Sequence, residues 1–186
     1  MRGVRGWYFA FAIFCAAPLA AEESLPIPQG PEPAPVAIPH FPRRLDAYVF
    51  RNWGVAPLGR IAAAIGADPA AVVALGRDLG LGQPPGVPDD VFRRSALTVI
   101  RRNWHLLPYP QLLQLLGWSE GKLGYTLRED DFLWIKLGSL KPRCEPIRLE
   151  APGEAARARH AEIRKVVEEA LAPAGLHGFE SRFAFL

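Results

Sequence analysis

His105 and the acidic run Glu129, Asp130 and Asp131 have side chains suited to general acid–base catalysis, since a carboxylate near an imidazole can move a proton at neutral pH. The run follows Arg128 at a helix end, where such charges ordinarily face water or cap the helix. These four residues are therefore weak catalytic candidates. A second constellation is written twice: Arg51-Asn52-Trp53 returns as Arg102-Asn103-Trp104, with Tyr109 close behind. An indole face can stack on a sugar ring while Arg and Asn hydrogen-bond its hydroxyls. Trp53, Arg102, Asn103, Trp104 and Tyr109 are accordingly the candidate ligand-binding residues. The competing reading makes each Trp a core plug with its indole N–H paired locally, and each Asn a turn residue ahead of a helix. Recurrence favours this second reading, because a fold element must recur in each copy of a repeat and a binding site need not.

Other chemistry is not indicated. The chain has no phosphate-binding Gly loop, no HExxH, no GxSxG and no Cys/His metal spacing, so neither a metal nor a cofactor is expected. Of the two cysteines, Cys15 falls in the N-terminal segment. Cys144 has no recognisable catalytic His signature around it and reads as a structural thiol. A disulfide-stapled scaffold is excluded for a mature chain with one thiol. These features argue against an enzyme.

The elements that must position these residues come from a duplication. Residues 41–81 and 92–132 align without a gap, and Phe41, Arg43, Arg51, Asn52, Trp53, Pro57, Gly66 and Arg77 meet Phe92, Arg94, Arg102, Asn103, Trp104, Pro108, Gly117 and Arg128. A fixed period defines the structural unit. Each copy reads as a short strand (48–53 and 97–100), a helix after Pro57 or Pro108, a Gly turn, and a second helix started by Asp68 or Ser119. The second unit extends to residue 138, with a strand-like or buried extended stretch over 132–137. Residues 154–172 form an amphipathic helix with Ile163, Val166, Val167, Ala170 and Leu171 on one face. An apolar tail, 173–186, follows. The expected fold is mainly α with short β segments: tandem strand–helix-turn-helix units and a C-terminal helix, with 41–186 as one compact domain.

The front of the chain reads as an export signal over residues 1–21: Arg2 and Arg5, an apolar run too short to span a bilayer, then small residues. Residues 22–40 are a Pro-rich linker, a stretch that favours an extended spacer holding the folded part away from the membrane. The expected location is periplasmic or extracellular, with membrane contact only through an uncleaved signal. Without Arg2 and Arg5 the formal charge of +3 falls to +1, so the pI of 9.1 is no argument for a nucleic-acid partner.

The turn spacing Ala62, Gly66, Val72 and Leu113, Gly117, Leu123 is that of a helix-turn-helix. The second helices carry too few exposed cations to read bases or phosphates, which leaves nucleic-acid binding as a disfavoured alternative. The order of elements is also similar to small lysin-motif-like glycan-binding modules. Residues 100–142, with the words RRNWHLLPY, LLGW and TLREDDFL, resemble a segment of large exported bacterial proteins of glycoside-hydrolase type. This resemblance implies an exported, non-catalytic accessory or scaffold module, associated with a polysaccharide or with a larger carbohydrate-active protein, or a chain cut short from a larger enzyme. The alternatives are a glycan-binding protein using the repeated Trp, Arg and Asn, a helix-turn-helix nucleic-acid binder, and a small hydrolase. Any ligand contact is expected in the second copy, which alone has His105, Tyr109, Trp118 and the acidic run.

Overall fold

A computed structural model describes residues 25–171. Among the described residues the chain forms helices without strands: α1 (Arg44–Asn52), α2 (Leu58–Ala64), α3 (Pro69–Asp78), α4 (Asp89–Arg94), α5 (Ala96–Asn103), α6 (Tyr109–Leu116), α7 (Glu120–Glu129), α8 (Leu133–Lys136) and α9 (Glu154–Leu171). The mainly helical expectation holds. The signal segment and the tail 173–186 lie outside the described residues.

The expected short strands are helices instead. Over 48–53 the apolar run is too brief to separate a period of two from 3.6. Extending it backwards exposes the helical stripe: Leu45, Tyr48, Val49 and Asn52 are all buried in α1, and Ala96, Val99, Ile100 and Asn103 in α5. The Asn read as a turn residue is the last member of that buried face. Residues 132–137 also depart from the extended reading. Phe132 takes a left-handed conformation (φ 52°) and leads into α8, a single helical turn.

The duplication is therefore one of helix triplets, α1–α3 and α5–α7. Its turn chemistry repeats closely. Gly66 and Gly117, at φ +63° and +65°, end α2 and α6. Ala67 N–H and Trp118 N–H then donate back to Ala62 O (3.0 Å) and Leu113 O (3.1 Å), closing the helix ends in the same way. Asp68 Oδ1 accepts from Ala70 N (2.7 Å), and Ser119 Oγ from Lys122 N (3.2 Å), so each second helix is capped by its own side chain. The axes of α2 and α3 turn by 100°. The α2–α6 and α1–α5 pairs join the copies, and equivalent residues Val49 and Ile100, Ile61 and Leu112, and Val72 and Leu123 fill one continuous core.

The first copy makes room for its indole with a glycine. Gly76 lies inside α3, and a Cβ there would overlap the far edge of the Trp53 ring. The equivalent residue in α7 is Leu127, buried in the core. Gly76→Ala is expected to lower stability by about 1–3 kcal/mol through overpacking, against the roughly 1 kcal/mol that Ala would add as a better helix former. Urea unfolding checks the sign.

α9 closes one side. Arg164 donates from Nη2 to Asp78 O at the end of α3 (3.1 Å), and buried His160 Nε2 lies 3.1 Å from Asp46 Oδ1 in α1. Arg43 grips the same carboxylate with Nε and Nη2 at 3.0 and 2.6 Å. The inner face of α9 runs through Ala156, His160, Ile163 and Val167, at helical spacing. The expected face is thus shifted: Ile163 and Val167 belong to it, while Val166 and Ala170 are exposed.

The Pro-rich stretch is extended, as expected, yet it is not a free spacer. Lys141 N–H donates to Pro31 O (3.1 Å) and Arg143 N–H to Pro33 O (2.9 Å), so 31–33 and 141–143 run side by side. Leu25 O and Pro26 O press against Gly124 of α7, where a Cβ could not fit. The stretch is a strap across the second copy.

Candidate functional site

The Arg and Asn of the twice-written words meet each other across the copies. Asn52 and Asn103, fully buried, exchange hydrogen bonds: Nδ2 of Asn52 donates to Oδ1 of Asn103 at 2.9 Å, and Nδ2 of Asn103 to Oδ1 of Asn52 at 2.8 Å. The second proton of each amide goes to the carbonyl one turn back, Tyr48 O or Val99 O, both at 2.8 Å. That carbonyl accepts only a donor, which fixes each amide so that Oδ1 faces the partner. The arginines repeat the exchange at the rim, with Arg102 Nη1 donating to Arg51 O (2.6 Å) and Arg51 Nη1 to Arg102 O (3.3 Å). Each guanidinium sits at the negative end of the other copy's helix, where a cation is favoured. Arg102 and Asn103 are thus committed to a pseudo-twofold seam.

Trp104 is 1% exposed, and its Nε1–H donates to Leu140 O at 3.0 Å. Tyr109 and Trp134 meet its ring edge-on, at 5.9 and 6.0 Å between centroids. No face of this indole is open to a sugar. Trp53 is half-buried against Gly76. The core-plug reading describes Trp104, and the predicted platform residues do not form a common open surface.

Sequence reasoning missed Lys141. Its buried ammonium donates to Trp104 O (3.0 Å), Leu107 O (2.8 Å) and Pro142 O (3.2 Å), all three protons used on carbonyls around the end of α5. Trp104 and Tyr109 present their rings at 5.1 and 5.5 Å. Burial holds this ammonium below the usual lysine range, while the buried Cys144 thiol, 3.8 Å away, acts in the opposite direction. Cys144 is structural in placement. Burial, and then the charge of nearby Glu32, pushes the Tyr109 phenol well above its ordinary range.

His105 has a structural partner as well. Its Nδ1 accepts the Val36 N–H at 3.2 Å, holding the strap to the end of α5. Partial burial and the charges of Lys141 and Arg51 lower its pKa, which favours the neutral ring, whose lone pair can accept. The unfolded ring takes a proton at higher pH than the folded one. The bond's contribution is therefore present above the ordinary imidazole range and lost as pH falls through the folded value. Protection of the Val36 amide, corrected for intrinsic exchange, is expected to fall on acidification, and to be low at every pH in His105→Ala. Protection in the wild type that ignores pH contradicts this.

The acidic run stands apart. Glu129, Asp130 and Asp131 are exposed. Asp131 pairs with Lys136 (2.6 Å) and Arg101 (2.9 Å), whose hydrogen bonds draw its pKa below the usual carboxylate range. No hydrogen bond joins these acids to His105 among the described residues. Nor do three His, Cys, Asp or Glu side chains gather there as a set that could hold a metal ion.

Open hollows lie elsewhere, two of them at the two ends of the α2–α6 pair. Arg60 of α2 and Gln111 of α6 occupy equivalent positions in the two copies. Gln111 reaches toward the Gly66 turn and clamps the chain's own extended segment: Nε2 donates to Ile147 O (2.7 Å) and Oε1 accepts from Ile147 N (2.8 Å). Arg60 reaches the Gly117 turn, packs so closely on it that a Cβ there would overlap the guanidinium, and lies 5.2 Å from the Phe92 ring centroid. A hollow of about 530 Å³ borders the Gln111 clamp, and at the Arg60 end a cavity of about 200 Å³ is lined by Arg60, Arg93, Lys122, Asp89 and Trp118. Comparing the copies position by position could have found it, since Arg60 faces Gln111 while Trp118 and Lys122 replace Ala67 and Ala71. No family model matches this chain, and no curated protein or solved structure matches it.

Proposed function

We propose that this chain is an exported, non-catalytic accessory or scaffold module, in which two fused helical copies form one rigid platform associated with carbohydrate or with a carbohydrate-active partner. The observation that carries the non-catalytic part is the fate of the motif residues. Asn52, Asn103, Arg51, Arg102 and Trp104 spend their hydrogen bonds on one another and on neighbouring backbone, and His105 spends its lone pair on the strap. Export rests on the N-terminal sequence, and the carbohydrate association on the resemblance of residues 100–142. A nucleic-acid role has little support: on α3 the exposed Arg77 stands beside Asp78, and on α7 Lys122 and Arg128 stand beside Glu120 and Glu129.

The test has two arms. A C-terminal fusion to a reporter that is active only after export is expected to be active, and cytoplasmic retention contradicts the location. The purified chain, incubated with peptidoglycan and plant polysaccharides, is expected to release no reducing ends. Release that disappears in His105→Ala or Asp131→Asn contradicts the non-catalytic reading.

A further inference from the structure

The duplication contains its own comparison for the cavity at Arg60. In the quasi-equivalent place, Gln111 holds the main-chain N–H and C=O of one residue, Ile147. A carboxamide offers one acceptor and a donor group, which is what a peptide N–H and C=O require. Arg60 stands where that carboxamide would stand, and a guanidinium offers donors alone. The exchange of Gln for Arg therefore converts a clamp for a main-chain donor and acceptor into one for a group that only accepts, such as a carboxylate. The planar fork of the guanidinium matches the two carboxylate oxygens.

The surroundings agree. Among the lining residues three cations, Arg60, Arg93 and Lys122, face one carboxylate, Asp89. Among the described residues none of these three cationic side chains makes an ion pair or donates to an acceptor of this chain. Arg60 is half-buried and held between the Gly117 turn and the Phe92 ring. Its position is thus set by packing and not by a hydrogen bond that a ligand would have to break. Lys122 lies over the ring of half-buried Trp118, 4.5 Å from its centroid, so the indole borders the cationic space. At about 200 Å³ the cavity is smaller than the roughly 300 Å³ at which sites for drug-sized ligands begin. It has room for an acid group and the ring that bears it.

We propose that this cavity, built by Arg60, Arg93, Lys122 and Trp118, binds the carboxylate of an acidic saccharide. The carboxylate part is argued from the cavity alone. The saccharide part rests on the carbohydrate reading above, and a failure here leaves export and the absence of hydrolysis untouched.

The experiment follows the Trp118 indole N–H resonance in the folded chain during titration with glucuronate oligosaccharides, neutral glucose oligosaccharides and inorganic phosphate. Acidic oligosaccharide is expected to give a saturable shift that neutral oligosaccharide does not. Arg60→Gln, with a wild-type amide spectrum elsewhere as evidence of folding, is expected to weaken binding at least tenfold. Lys122→Gln is expected to weaken it less. The proposal is overturned if glucuronate oligosaccharides give no shift, if phosphate alone binds, if neutral oligosaccharide binds equally, or if folded Arg60→Gln binds as well as the wild type.

Discussion

Trp104→Ala is expected to destabilise the protein by about 3–5 kcal/mol, the range for truncating a fully buried aromatic side chain, and to lower its thermal midpoint by about 10 °C. Three losses combine. The cavity opens in the centre of the second copy, between Tyr109 and Trp134. Leu140 O loses the indole N–H. The Lys141 ammonium loses one of its two aromatic neighbours while remaining buried. Trp104→Phe restores much of the volume but not the donor, and a loss of about 1–2 kcal/mol is expected. Trp53→Ala should fall below Trp104→Ala, because Trp53 is half-buried and makes no indole hydrogen bond among the described residues. Chemical denaturation of the three variants checks the order. Equal losses at Trp53 and Trp104 would contradict the asymmetry between the copies.

The second large effect is expected at the seam. Asn103→Leu removes one carboxamide from a fully buried reciprocal pair. Asn52 Oδ1 is then buried without its donor, and one Nδ2 proton loses its acceptor. A buried polar group left unpaired costs about 1–3 kcal/mol, so a total loss of about 2–4 kcal/mol is expected. Asn52→Leu should behave alike, since its partners repeat those of Asn103 one for one. Neither substitution touches the Arg60 cavity, and ligand binding there should survive in whatever fraction remains folded.

How much of this was readable in the chain differs by element. α2, α3, α6 and α7 announce themselves through Pro, Gly and the Asp68 and Ser119 caps, because these act locally and each residue carries its own constraint. α1 and α5 do not, since their buried face ends in an Asn, a residue that in isolation signals a turn. What makes Asn helical here is a partner 51 residues away. The strap is hidden for the same reason. Pro31 and Pro33 lack N–H groups and suggest a solvated spacer, yet their carbonyls remain available, and Lys141 and Arg143 take them. The Arg60 cavity is written in the differences between the copies and not in their identities. Two of those identities, Arg51 with Arg102 and Asn52 with Asn103, form the seam that joins the copies.

The double-mutant cycle on that seam addresses the central claim most directly, that the repeated Arg-Asn pairs hold the two copies together and do not form a ligand surface. Unfolding free energies are measured for the wild type, Asn52→Leu, Asn103→Leu and the double variant. With both amides replaced by side chains of similar size no buried amide remains unpaired, so the double variant should be destabilised by less than the sum of the singles, with a coupling of about 1–3 kcal/mol. Additive losses, with a coupling near zero, would contradict the account.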